Sequence, residues 1–179
     1  ASGVEANVRH LIMDTLWYGF LVGSTINFLQ VYVVRLGGIS LWVSAVTYGP
    51  ALVNIFWQMP AARLMGRMGW RMRWVIGAGL AHRLCYVAIV AIPLLTQGLR
   101  AELTVLVLVL QAIPLTLAST SFLAMLADAV PPERITQVVS WRTASLGLTT
   151  TVGTLAAGQI LSRLPMPLNY QVLFSLGFV

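Results

Sequence analysis

Residues 103–127 read LTVLVLVLQAIPLTLASTSFLAMLA, 25 residues without a charged side chain. An α-helix rises about 1.5 Å per residue, so this run is long enough to cross the roughly 30 Å hydrocarbon core of a bilayer. The pattern repeats on both sides of it. Before it lie Leu11 to Val34, Trp42 to Ala62 and Trp74 to Leu95; after it lies Thr143 to Ser162. A sixth run opens at Leu168 and is still apolar at Val179, so the protein is expected to continue beyond it. The reading is an all-α, polytopic membrane helix bundle, covering residues 1–179 as one unit.

Composition agrees. The chain is 58% hydrophobic and 9% charged, whereas a soluble domain carries about 25% charge to coat its surface. The net charge is +6 and every basic residue is an arginine. These arginines sit between apolar runs instead of lining one face, which argues against a nucleic-acid partner and for a lipid bilayer. The N-terminal segment and the even-numbered connections carry Arg9, Arg63, Arg67, Arg71, Arg73, Arg134 and Arg142, against Arg35, Arg100 and Arg163 on the odd ones. That asymmetry predicts a multi-pass protein of the cell (plasma or inner) membrane with a cytoplasmic N-terminus.

The connections are short or charged. Gly37-Gly38, Gly98 and Pro165-Met166-Pro167 punctuate the first, third and fifth; Arg63 to Arg73 and Asp128 to Arg142 form the second and fourth. Stripes of small residues predict close helix packing, the main source of association in lipid. They are Gly19, Gly23 and Asn27; Ala112, Thr116, Thr120, Ala124 and Asp128; and Ser145, Thr149, Gly153 and Ala157. The single Cys85 excludes an intrachain disulfide, and His10 and His82 are too far apart for a metal site. No cofactor, metal or catalytic constellation is expected.

The second connection, Ala62-Arg63-Leu64-Met65-Gly66-Arg67-Met68-Gly69-Trp70-Arg71-Met72-Arg73, resembles the major facilitator superfamily (MFS) pattern G-x-L-A-D-R-x-G-R-[KR]. Leu64, Arg67, Gly69 and Arg71 match it, while Gly66 stands where the family has Asp. The segment Leu126-Ala127-Asp128-Ala129-Val130-Pro131-Pro132-Glu133-Arg134, followed by Trp141-Arg142, is similar to the turn that ends the fourth helix in many members.

The resemblance implies a first six-helix half built from two inverted three-helix repeats. It implies secondary transport of a small solute by alternating access, with or without a coupling ion, against a C-terminal six-helix half. It also implies a clasp of Asp128 with Arg67 or Arg71, flanked by Glu133, Arg134 and Arg142. A non-transporting receptor or assembly subunit on the same fold is the alternative.

Polar groups at mid-depth are the candidate substrate contacts, because leaving them in lipid is costly. Asn27, Asn54, Gln111 and Thr149 are expected on the concave side where the second half docks. Pro114 is expected to open the helix near Gln111. Arg83 is read as a cavity charge for an anionic group or a partner for an acid in the other half, or else as a helix-packing residue, and His82 as a packing residue.

Overall fold

The computed structural model describes residues 2–67, 71–96 and 98–176. It contains helices α1 (Ser2–Ser24), α2 (Leu29–Arg35), α3 (Ser40–Arg67), α4 (Arg71–Leu95), α5 (Arg100–Ala129), α6 (Pro132–Arg163) and α7 (Leu168–Leu176). No strand occurs among the described residues. The all-α expectation therefore holds. Among the described residues three stretches are long and apolar enough to cross a membrane: Val8–Arg35, Met72–Leu95 and Arg100–Asp128. At 28 and 32 residues, α3 and α6 have the length, but are more polar. Asn54 and Gln58 dilute one; Ser145, Thr149, Thr150, Thr151 and Gln159 dilute the other.

Two expected connections are mostly helix. The span expected from Thr143 starts at Pro132, so the turn before it shrinks to little more than Val130 and Pro131. Pro132 stands at the first helical position, where its missing N–H costs nothing, and Glu133 in the first turn complements the positive helix end. Likewise α3 runs on through Gly66 to Arg67 and α4 begins at Arg71. Nor does Pro114 interrupt its helix, since α5 continues unbroken through it.

The first apolar run is instead the interrupted one. Its helix stops at Ser24, makes a 3₁₀ turn over Ile26–Phe28, and resumes as α2. Ser24 and Thr25 hydroxyls point at carbonyls of their own and a neighbouring helix: Leu21 at 3.5 Å and Leu173 at 3.5 Å. Such side-chain bonds offer the backbone an alternative to the helical ladder. The turn after α2 is closed by Gly37, whose φ of 87° lies in the left-handed region that glycine adopts without strain.

Packing is pairwise. The longest contact is α1 on α6, while α5 lies between α3 and α4; α7 leans on α4, α6 and α1. Glycines set the closest approach. A methyl group on Gly23 would stand 2.1 Å from the Thr150 carbonyl oxygen, and one on Gly153 2.7 Å from that of Phe20. Thr150 and Thr154 hydroxyls complete the seam by donating to the Gly19 and Gly23 carbonyls, each at 3.2 Å.

The largest core cluster joins Tyr32 and Leu29 of α2, Tyr86 and Ile89 of α4, Leu108 of α5, and Tyr170 and Phe174 of α7. Tyr32 stacks edge-on against Phe174 with ring centroids 4.8 Å apart. A second cluster, Leu11, Leu126, Val130 and Val138, ties α1, α5 and α6 at the arginine-rich end. The outside is apolar: Phe56 is 77% exposed and Leu155 68%. A soluble bundle avoids such faces, whereas hydrocarbon accepts them.

Gly23→Val is expected to cost about 1–3 kcal/mol by overpacking this seam. Gly147→Ala, where a methyl group meets nothing within 4 Å, is expected to gain up to about 1 kcal/mol. Thermal unfolding in detergent checks both, and equal effects from the two would remove the α1–α6 contact as the reason.

Candidate functional site

The interruption in the first run places Asn27 on an exposed 3₁₀ turn, where its side-chain N–H donates to Thr154 of α6 at 3.2 Å. One turn further, exposed Gln30 of α2 donates to Thr47 of α3. Along α3, seven residues or about 10 Å beyond Thr47, the Asn54 side-chain oxygen meets the Thr116 hydroxyl of α5. Three amide–hydroxyl pairs thus tie the 3₁₀ turn to α6, α2 to α3 and α3 to α5. Asn27, Gln30, Thr47 and Asn54 are all exposed, so the pairs leave amide hydrogen-bonding capacity open to whatever lies in front of them.

Two expected cavity residues are elsewhere. Gln111 is buried and donates to the His82 carbonyl of α4 at 3.0 Å. It is a tie between α4 and α5, and the expectation that it faces the open side is corrected. The physical reason is that a helix carbonyl satisfies an amide as well as water does. Thr149 is also turned inward. It donates to the Ser145 carbonyl of its own helix at 2.8 Å and lies so close to Gly19 that a methyl group there would clash with it. It belongs to the α1–α6 seam.

Arg83 lies half-buried on α4, next to His82. The His82 ring packs edge-on against Tyr86, with centroids 5.4 Å apart, and both its nitrogens are buried without a hydrogen-bond partner among the described residues.

At the arginine-rich end the Arg71 arm of the expected clasp with Asp128 falls on a side chain outside the described residues. Gly69 also lies outside them. Leu64 is half-buried; Arg67, Asp128, Glu133 and Arg134 are exposed. Among the described side chains at this end, Arg142 of α6 is drawn inward. It donates to Thr15 of α1 at 2.7 Å and lies over the Phe122 ring of α5, 4.3 Å from the centroid. Burial lowers the pKa of this guanidinium and the nearby Asp14 carboxylate opposes that shift; the group stays charged at neutral pH. One arginine thereby ties three helices.

Gln30, Thr47 and Thr154 were not among the expected site residues. A helical signal for them existed, since Gln30 follows Asn27 by three positions and Thr47 precedes Asn54 by seven. Among the described residues no group of His, Cys, Asp and Glu is placed to hold a metal ion. No family model matches the chain, and no curated protein or solved structure matches it either.

Gln111→Leu is expected to reduce folding stability by about 0.5–1.5 kcal/mol, the net value of one hydrogen bond. Arg142→Ala is expected to cost more, about 2 kcal/mol, through a charged hydrogen bond and a ring contact together. Arg67→Ala is expected to be nearly neutral. Unfolding midpoints of the three variants in one detergent check the order, and a Gln111→Leu protein as stable as wild type would return that residue to the site.

Proposed function

We propose that the chain is the first six-helix half of a secondary transporter of major-facilitator type, which moves a small solute by alternating access. The observation that carries this is the row of exposed amides, Asn27, Gln30 and Asn54, each bonded to a threonine of a neighbouring helix (Thr154, Thr47 and Thr116) beside a broken helix. Irregular backbone at membrane depth is tolerated only where protein or a water-filled cavity covers it. An amide facing hydrocarbon without a partner costs roughly 2–7 kcal/mol. Exposed amides at such a break therefore favour a polar surface in front of them: water, solute and a second helical half.

The helix pairing supports the same fold. With α1 and α2 as the first span, α3 as the second and α4 as the third, α5, α6 and α7 become the fourth, fifth and sixth. The first span packs on the fifth, and the second on the fourth. An inverted repeat that exchanges one with four, two with five and three with six converts these two contacts into each other. It leaves the third-on-sixth contact, α4 on α7, mapped onto itself. The open amides also lie on the first and second spans, with Thr116 and Thr154 on the fourth and fifth, the four that line or flank the pathway in the resembled family. Multi-pass insertion in the cell membrane with a cytoplasmic N-terminus follows the arginine asymmetry.

Accessibility to water tests the proposal without knowledge of the solute. In a Cys85→Ser background, Asn27→Cys and Asn54→Cys are expected to react with a membrane-impermeant maleimide, and from both sides of the membrane as the halves alternate. Leu80→Cys, on the exposed apolar face of α4, is expected to stay unlabelled. Silence of Asn54→Cys equal to that of Leu80→Cys removes the pathway. Labelling from one side alone favours a receptor-like protein that does not alternate.

A further inference from the structure

Where α1 and α6 diverge at the arginine-rich end they leave an open groove of about 350 Å³. Its walls are mostly apolar, with Ile12 and Met13 from α1 and Val138 and Trp141 from α6 beside Gln137. Arg9 of α1 and Arg134 of α6 also line it. Both are exposed, as are Met13 at 53% and Trp141 at 60%. Glu133, although adjacent to Arg134 in sequence, does not line it.

We infer that this groove holds an anionic phospholipid of the leaflet at that end. Depth is the first argument. The apolar run of the first span opens at Leu11, so Arg9 lies just outside it and Ile12 and Met13 just inside, all within about 3 Å of the membrane boundary along the helix axis. That is the level of the headgroup and the first acyl carbons, and the level at which tryptophan concentrates. Charge is the second. Two arginines lining one groove present forked donors that match the oxygens of a phosphate. The third is the wall itself. Ile12, Met13, Val138 and Trp141 would be a poor cradle for a free phosphate, which gains nothing from apolar contact, but they suit the chain attached to a lipid phosphate. The inference needs the chain to be in a membrane and does not depend on transport.

Trp141 supplies the readout. The full-length protein is reconstituted in phosphatidylcholine vesicles containing increasing amounts of a lipid brominated on its acyl chain. Its fluorescence is compared with that of Trp141→Phe to isolate the share of this side chain. Brominated phosphatidylglycerol is expected to quench Trp141 at about one-tenth or less of the mole fraction that brominated phosphatidylcholine requires, the discrimination that two surface arginines supply. Arg9→Gln and Arg134→Gln, both at exposed positions away from the core, are each expected to reduce that preference severalfold and leave the unfolding midpoint in detergent unchanged. Equal quenching by the two lipids overturns the inference, as does a preference that survives both substitutions. Loss of the preference on adding millimolar inorganic phosphate identifies a free-anion site and overturns it too.

Discussion

The contact between α1 and α6 is the one on which the rest of the molecule depends. Gly23 leaves no room for a methyl group against the Thr150 carbonyl, so the two backbones lie closer than ordinary side chains allow. In lipid, apolar area does not drive helices together, and close backbone contact with short polar bonds replaces it. Thr150 and Thr154 reach α1 carbonyls only because the glycines opposite them have no side chain. The same approach brings Thr154 up to the break in the first span, where its hydroxyl accepts from Asn27. A looser seam would leave that turn unsupported and its amide without a partner.

From this seam the helices sort into two kinds. On α4 the exposed positions carry Ile76, Leu80, Leu84 and Val87, an ordinary lipid face. On α3 the exposed surface mixes Leu52, Ile55 and Phe56 with Thr47, Asn54 and Gln58. The lower hydropathy of α3 and α6 has different origins: α3 carries Thr47, Asn54 and Gln58 on its exposed surface, whereas α6 divides its polar residues between the seam with α1, Thr149 and Thr150, and exposed Thr151 and Gln159. A helix that faced lipid all round would have no reason to keep the exposed ones, because each would remain a desolvated polar group.

Most of the architecture was legible in the sequence, and the reasons are simple. Long charge-free runs such as Leu103 to Ala127 report helices because a helix satisfies its own backbone in hydrocarbon, whereas a barrel needs strands of about ten residues that alternate polar and apolar. The small-residue stripes marked faces that pack closely, among them those of Gly23 and Gly153, but not that these two faces meet each other. The ends of helices were less legible. Hydropathy marks where the membrane stops, not where the helix stops, so the stretch from Pro132 to Arg142 read as a connection although it is the first three turns of α6. The interruption at Thr25 was invisible too, since Ser24, Thr25 and Ile26 suit a helix or a turn and the deciding bond, to Leu173, comes from a distant part of the chain.

The site shows why cost alone does not locate function in a membrane protein. Asn54 and Gln111 are both amides near mid-depth, and both would be expensive in lipid. The penalty disappears equally well when the amide meets water in a cavity or a carbonyl on the next helix. Gln111 takes the second route because α5 is packed on both flanks and the His82 carbonyl stands within 3.0 Å of it. Asn54 accepts from Thr116 and stays exposed on a side of α3 that no described helix covers; under the proposed function that side faces water. Periodicity along α5 separates its two flanks but does not say which flank a neighbour occupies. That information lies in the pairing of helices, which the seam between α1 and α6 sets and which no single run of residues contains.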